Sequence, residues 1–337
     1  MKKLFLILLI AIGFFSCENF EIDHPDFDYT SGFFPYQFPV RTLVLGDYIY
    51  DNTNDNAHKF VISVAMGGVY DNDRDREFDI EVDESLCNNI LFGADGDPIK
   101  ALPANYYTLS STNKIVIPKG KMNGGIEVQL TDAFFNDPLA IGLNYVVPIR
   151  LKGSNDVDTL LVGSSINPSA DVRDASQWTV APKNFTMFAV KYINEFHGTY
   201  FRYGNSKVVD GTNKELESTT YSEKYVENNP TDKLVTTGRN QVSLNLKLNS
   251  EIMKGFAKVL LNFTGNKCTV EAADGSSFTV TGSGEFQTGA YNWGNKKRNG
   301  IVLTYTISDG NNTYSASDVL VARDRGVVME IYTPEVQ

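Results

Sequence analysis

Apolar and polar side chains alternate with a period of two over many short runs of the chain, the pattern of strands that bury one face. Phe60, Ile62, Val64 and Met66 share one face of residues 60–66, Glu77-Phe78-Asp79-Ile80-Glu81-Val82 alternates cleanly, and Ile126-Glu127-Val128-Gln129-Leu130 repeats the scheme. Residues 145–151 read as a further strand, but Pro148 has no N–H to give a ladder, which predicts an edge or a bulge there. Turn formers such as Asp95-Gly96 and Asn123-Gly124-Gly125 separate the runs, so a sandwich of antiparallel sheets is predicted. Only residues 84–92 have the look of a short helical turn. Residues 184–193 are aromatic and aliphatic and supply a last strand to this first unit. The irregular stretch 162–183, with Pro168 and Pro182, then becomes a long surface loop within it, a length that is uncommon unless a loop is functional or mobile.

The second half opens at His197-Gly198-Thr199-Tyr200 and alternates again over residues 241–248 and 301–307, the latter introduced by an Asn299-Gly300 turn. Further strands are predicted at 257–263, 278–281, 314–321 and 327–332, with hairpins at Asp274-Gly275 and Asp309-Gly310. A meander of about eight strands removes its edges most economically by closing into an up-and-down barrel.

The amino terminus sets the compartment. Lys2-Lys3, the apolar run from Leu4 to Phe15, then Ser16 and Cys17 have the layout of a secretory signal, and the run is shorter than the ~20 residues needed to span a bilayer. Residues 1–16 read as the signal peptide and 17–32 as an acidic tether, leaving a domain at 33–194 and another at 195–337. With residues 1–16 removed, Lys2 and Lys3 are lost and 28 basic residues face 41 acidic ones. A chain this acidic is repelled by nucleic acid and by anionic lipid, whereas neutral partners such as sugars meet no such barrier.

Ser16-Cys17 resembles a bacterial lipobox, in which the thiol of Cys17 carries the lipid, although Phe14 stands where leucine is usual. Two or more acyl chains make such an anchor stable. Glu18, Glu21 and Asp23 resemble the acidic signal that sends lipoproteins to the outer face of the outer membrane in Bacteroides-type bacteria. Within the first domain, Ala104-Asn105-Tyr106-Tyr107-Thr108-Leu109, Ile117-Pro118-Lys119-Gly120, Asn136-Asp137-Pro138-Leu139, Tyr145-Val146-Val147-Pro148-Ile149 and Phe188-Ala189-Val190-Lys191-Tyr192-Ile193-Asn194 are similar to the N-terminal domain of a large set of Bacteroides-group surface lipoproteins. The resemblance implies an all-β protein: an Ig-like sandwich followed by a lipocalin-like barrel, encoded beside glycan-uptake machinery. It also implies polysaccharide or oligosaccharide and uptake-system proteins as partners, with no assigned activity. Asp158-Thr159-Leu160 resembles an O-glycosylation acceptor of the same bacteria.

Catalytic and cofactor signatures are absent. His24, His58 and His197 show no metal-ligand spacing, no CxxC occurs, and neither a GxSxG elbow nor a GxxxxGK[ST] loop is present, so neither metal, cofactor nor catalytic residue is expected. Asp71-Asn72-Asp73-Arg74-Asp75 opens like a calcium loop, but Arg76 and Val82 stand where an EF-hand needs Gly and Glu. Beyond Cys17, Cys87 and Cys268 either bridge the domains or remain free. Tyr291, Trp293, Lys296 and Arg298 sit in a polar, glycine-containing stretch and form the candidate glycan platform, with Trp178 of the long loop as a second candidate. The plainer readings are a tryptophan covering a barrel end and a solvated charge run. The function expected is a non-enzymatic glycan-binding or accessory surface lipoprotein. A structural or adhesive protein is the alternative, ahead of a glycoside hydrolase.

Overall fold

The computed structural model describes residues 26–337, an all-β chain with only short helical turns. The first domain holds β1 (Ser31–Phe33), β2 (Pro39–Val44), β3 (Lys59–Gly67), β4 (Arg76–Val82), β5 (Ile90–Leu91) and β6 (Lys100–Ala101). It continues with β7 (Tyr107–Leu109), β8 (Lys114–Ile117), β9 (Asn123–Leu130), β10 (Tyr145–Gly153), β11 (Thr159–Leu160) and β12 (Phe185–Ile193). One sheet runs β11-β1-β3-β9-β7; the other runs β2-β12-β10-β4-β8, with β6 beside β10. Between them, Phe60, Ile62 and Val64 of the first sheet pack with Phe78, Ile80, Val147, Ile149 and Tyr192 of the second.

The outer face of the second sheet is covered as well, where Val146, Phe185, Met187 and Ala189 pack with Leu86, Ile90 and Ile99. Burial on both faces is why β10 and β12 read as nearly continuous apolar runs and not as alternations. It also corrects the reading of Pro148. β10 lies between β12 and β4, and its bulge comes later, between Leu151 and Gly153. The Pro148 carbonyl accepts Asp83 N–H at 3.0 Å, one residue beyond the Ile149–Val82 pair, while β6 pairs only as far as Val146. The missing N–H therefore falls in the gap between two neighbours, where no ladder bond is lost. Short helical turns beyond the one expected near 84–92 occur at Thr53–Asn56, Asp132–Phe135 and Pro138–Ile141, too brief to leave a periodic signal.

The second domain contains β13 (Gly198–Asp210), β14 (Glu215–Tyr221), β15 (Thr231–Gly238), β16 (Gln241–Lys247), β17 (Phe256–Thr264), β18 (Lys267–Ala272), β19 (Thr279–Trp293), β20 (Lys296–Ser308) and β21 (Asn312–Asp324). From β15 onward each strand pairs antiparallel with the next, and β21 returns to β13, closing an eight-stranded barrel; β14 flanks the upper half of β13 outside the ring. Inward residues such as Leu244, Val259, Leu261, Ile301, Leu303 and Tyr305 fill it, as expected for a barrel of this strand number. The segment expected as a strand at 327–332 leaves the barrel, which closes without it. Instead β22 (Glu330–Ile331) pairs with β2 and β23 (Glu335–Val336) with β5, both in the first domain.

The link between the domains is stiff. Asn194 donates through its amide to the Gly238 and Gln241 carbonyls and accepts from Phe196 and His197 N–H, while Phe196 stacks on Phe263 at 3.6 Å inside the barrel end. His197 Nδ1 accepts Thr236 N–H at 3.0 Å, and burial pulls the imidazole down to about 4. The ring is therefore neutral in the fold but takes a proton in the unfolded chain below its ordinary 6.5. Stability falls as pH drops through the window from 6.5 to about 4 and does not depend on this group above it, a loss of about 3 kcal/mol. Urea denaturation at about pH 7.5 and about pH 4.5 is expected to show wild type losing about 2 to 3 kcal/mol more than His197→Gln, most of the full effect. Equal losses would mean that the ring is hydrated.

Candidate functional site between the two domains

Gly46 turns the chain out of β2 with φ +83°, and a Cβ there would lie 2.4 Å from Glu195 Cβ, so the linker can approach only glycine. The loop that follows is closed by Asn52, whose amide donates to the Val44 and Gly46 carbonyls at 2.8 and 2.7 Å. Its crest is Tyr48-Ile49-Tyr50. The two tyrosine rings meet edge to face at 5.5 Å, and Tyr50 is 69% exposed.

Facing this loop is a basic wall from the barrel. Gly294 and Asn295, both with positive φ (+57° and +58°), form the two-residue turn between β19 and β20, the geometry that suits right-twisted strands. Lys296, Lys297 and Arg298 follow directly on β20, and Arg323 and Arg325 stand at the end of the adjacent β21. Arg325 joins the walls, donating to the carbonyls of Asp47 (2.8 Å), Leu45 (3.0 Å) and Asn194 (2.6 Å); burial pulls its pKa down. The space between is about 610 Å³, with Tyr200, Phe286, Val327 and Val328 also lining it. That size fits a small ligand or a few sugar units of a longer chain.

Residues 195–326 match the family DUF5627, a domain of unknown function, and residues 27–158 match a family described as an N-terminal domain. A solved protein of unknown function from Bacteroides ovatus is 36% identical over 92% of this chain and 100% of that one, with TM-score 0.85. The chain belongs to that two-domain family. A more distant likeness, 13% identical with TM-score 0.41 over 84% of this chain and 90% of the other, is to an auxiliary nutrient binding protein from Bacteroides thetaiotaomicron. No curated protein matches.

In the DUF5627 barrel, the residues expected to form one platform are only partly brought together. Lys296 and Arg298 line the cleft, whereas Trp293, beneath the Arg298 guanidinium, and Tyr291, packed over Gly300, do not line it. The turn expected at Asn299-Gly300 lies inside β20, and a Cβ on Gly300 would meet the Tyr291 ring at 2.3 Å, so this glycine makes room for an aromatic and bends nothing. Trp293 donates Nε1–H to the Ala322 carbonyl at 3.0 Å and meets Phe201 edge-on at 5.2 Å; the Arg298 guanidinium covers its ring at 4.3 Å. The expected polar loop is thus a β-ribbon end folded against the barrel. Trp178 lies elsewhere, its Nε1–H closing the long loop onto the Asp171 carbonyl at 2.7 Å. That loop is pinned further by Arg173, which pairs with Asp171 at 2.6 Å and donates to the Leu86 carbonyl.

Sequence reasoning missed Tyr48, Tyr50, Arg323 and Arg325. The Tyr48-Ile49-Tyr50 triplet between Gly46-Asp47 and Asp51-Asn52 was the available signal, since turn formers on both sides predict solvent-facing rings. The calcium-like stretch serves as a built turn: Asn72 donates to the Pro118 and Lys121 carbonyls and accepts Arg76 Nε, and Asp75 accepts Lys119 N–H. Among the described residues no cluster of three or more His, Cys, Asp or Glu could hold a metal. Cys87 and Cys268 are free, with burial pushing their thiols up to about 12 and about 11. Thr159 is exposed on β11. Cys17 and the lipobox-like run lie outside the described residues.

Proposed function

We propose that the protein is a lipid-anchored, surface-exposed outer-membrane component that holds glycan without catalysis in the cleft between its domains, as an accessory to polysaccharide uptake. The observation that carries this reading is the pair of half-buried Tyr48 and exposed Tyr50 facing the donor-rich wall of Lys296, Lys297, Arg298 and Asn299. Sugar rings have apolar C–H faces that stack on aromatic rings, and their hydroxyls take hydrogen bonds from amides and cations. A partner protein with a flat surface would use neither the depth of the cleft nor this combination. The anchor rests on Cys17 and the apolar run before it.

Affinity electrophoresis in gels containing a panel of plant and host polysaccharides tests the binding. At least one is expected to retard the mature chain, and the double variant Tyr48→Ala/Tyr50→Ala is expected to weaken that retardation about tenfold or more. Retardation that survives the double substitution would put the site elsewhere. Release of reducing ends from the same polysaccharides would replace binding by hydrolysis. Labelled palmitate is expected to enter the wild type and not Cys17→Ala; equal labelling would remove the anchor from the proposal.

A further inference from the structure

The whole chain carries 41 acidic against 30 basic residues, yet the cleft gathers five cations, Lys296, Lys297, Arg298, Arg323 and Arg325, against Asp47, Glu195 and Asp324. Most of these cations lack the partner that an acidic protein could readily supply. Of these five, only Arg323 makes an ion pair with a described residue, Asp324 at 3.3 Å, and both ends of that pair are about half exposed. Arg298 spends its guanidinium on the Trp293 face, and Arg325 uses backbone carbonyls. The Nε atoms of both arginines are buried with no hydrogen-bond partner. Three successive cations at the start of β20 repel one another, a cost that an anion seated among them would remove.

We propose that the cleft selects sugars bearing an acidic group, a carboxylate or a sulfate. The proposal rests on the glycan reading above and names its chemical class. A free anion would use the cations and leave the tyrosine rings idle; a neutral sugar would stack on the rings and leave the charges of Lys296, Lys297 and Arg298 uncompensated. An acidic sugar engages both walls, its ring on Tyr48 or Tyr50 and its charged group on Lys296, Lys297 and Arg298. Guanidinium and ammonium groups make charge-assisted hydrogen bonds to such oxygens, about twice as strong as neutral ones. The acidic remainder of the chain repels polyanions, so capture falls to this one basic locus.

The test is calorimetry of the full mature chain with oligomers of polygalacturonate, chondroitin sulfate, and neutral galactan and dextran. At least one acidic oligomer is expected to bind about tenfold or more tighter than the neutral ones. In Lys296→Gln/Lys297→Gln, two exposed positions, that advantage is expected to fall about tenfold. Neutral oligomers bound as tightly as acidic ones would overturn the acidic preference and leave the glycan reading standing. Acidic binding that persists undiminished in the double variant would also overturn it, because the charge recognition would lie outside the cleft. If neither class binds, the glycan reading falls as well, and inorganic sulfate binding alone would mark a simple anion site and overturn the sugar assignment.

Discussion

Replacing Arg202 by methionine is expected to destabilise the barrel by about 3–5 kcal/mol, the usual cost of leaving buried charges without their counter-ion. Arg202 sits on β13 among inward-facing positions and is only 2% exposed; Asp318, which pairs with Gly204 and so lies diagonal to it on β21, is 0% exposed. One guanidinium nitrogen lies 3.1 Å from Asp318 Oδ2, another donates to the Lys247 carbonyl at 2.9 Å, and Nε stands 2.6 Å from Asp232 Oδ2. That last contact is off the hydrogen-bonding direction, so it is an ion pair alone. Tyr221 and Tyr305 donate their hydroxyls to Asp318. Burial pushes the Asp232 carboxyl up while Arg202 pulls it down. Without Arg202, both carboxylates either stay charged and unpaired or take up protons. Adding Asp318→Asn to the methionine variant is expected to recover part of the loss, since one stranded charge is then gone. In a Trp178→Phe background, which leaves Trp293 as the only tryptophan, denaturation followed by its fluorescence reads the barrel directly; a loss below about 1 kcal/mol would mean that water enters the network.

The second large effect comes from the end of the chain. Tyr332→Ala is expected to cost the first domain about 3–5 kcal/mol, the range for an aromatic deleted from a core. Its ring, 7% exposed, meets Phe38 at 5.5 Å and Phe92 at 4.9 Å, and its hydroxyl donates to the Met187 carbonyl at 2.9 Å. The residue follows the barrel in sequence yet packs in the sandwich, so the loss should appear in the first-domain transition and spare the Trp293 signal. Amide hydrogen exchange separates the two. Faster exchange in β2 and β12 is expected, and faster exchange confined to the barrel strands would contradict the packing of Tyr332 on the first domain.

Much of this fold was legible because its strands bury one face. The alternation of Glu77–Val82 and of residues 241–248 falls on β4 and β16 to within one residue at an end. The misreadings share one physical origin, which is that a long-range partner changes what a local pattern means. Pro148 signals an edge in isolation, but its nitrogen falls in a gap between β4 and β6. Asn299-Gly300 is a turn former by composition, but the Tyr291 ring needs the space above Gly300. Residues 327–332 have strand character, and nothing local says that their partner is β2. The cleft was half legible for the same reason. Lys296 and Arg298 stand out as a basic run in an acidic chain, whereas the tyrosines that face them lie some 250 positions earlier and meet them only through the closure of barrel against sandwich.

The central claim, that this cleft is where glycan is held, has a reporter built into it. The chain has two tryptophans, so Trp178→Phe leaves Trp293, whose ring carries the Arg298 guanidinium at 4.3 Å, as the sole indole signal. Titration of that variant with an oligosaccharide is expected to give a saturable change in Trp293 emission that Tyr48→Ala/Tyr50→Ala abolishes. A flat signal for an oligosaccharide that calorimetry shows to bind would contradict the account.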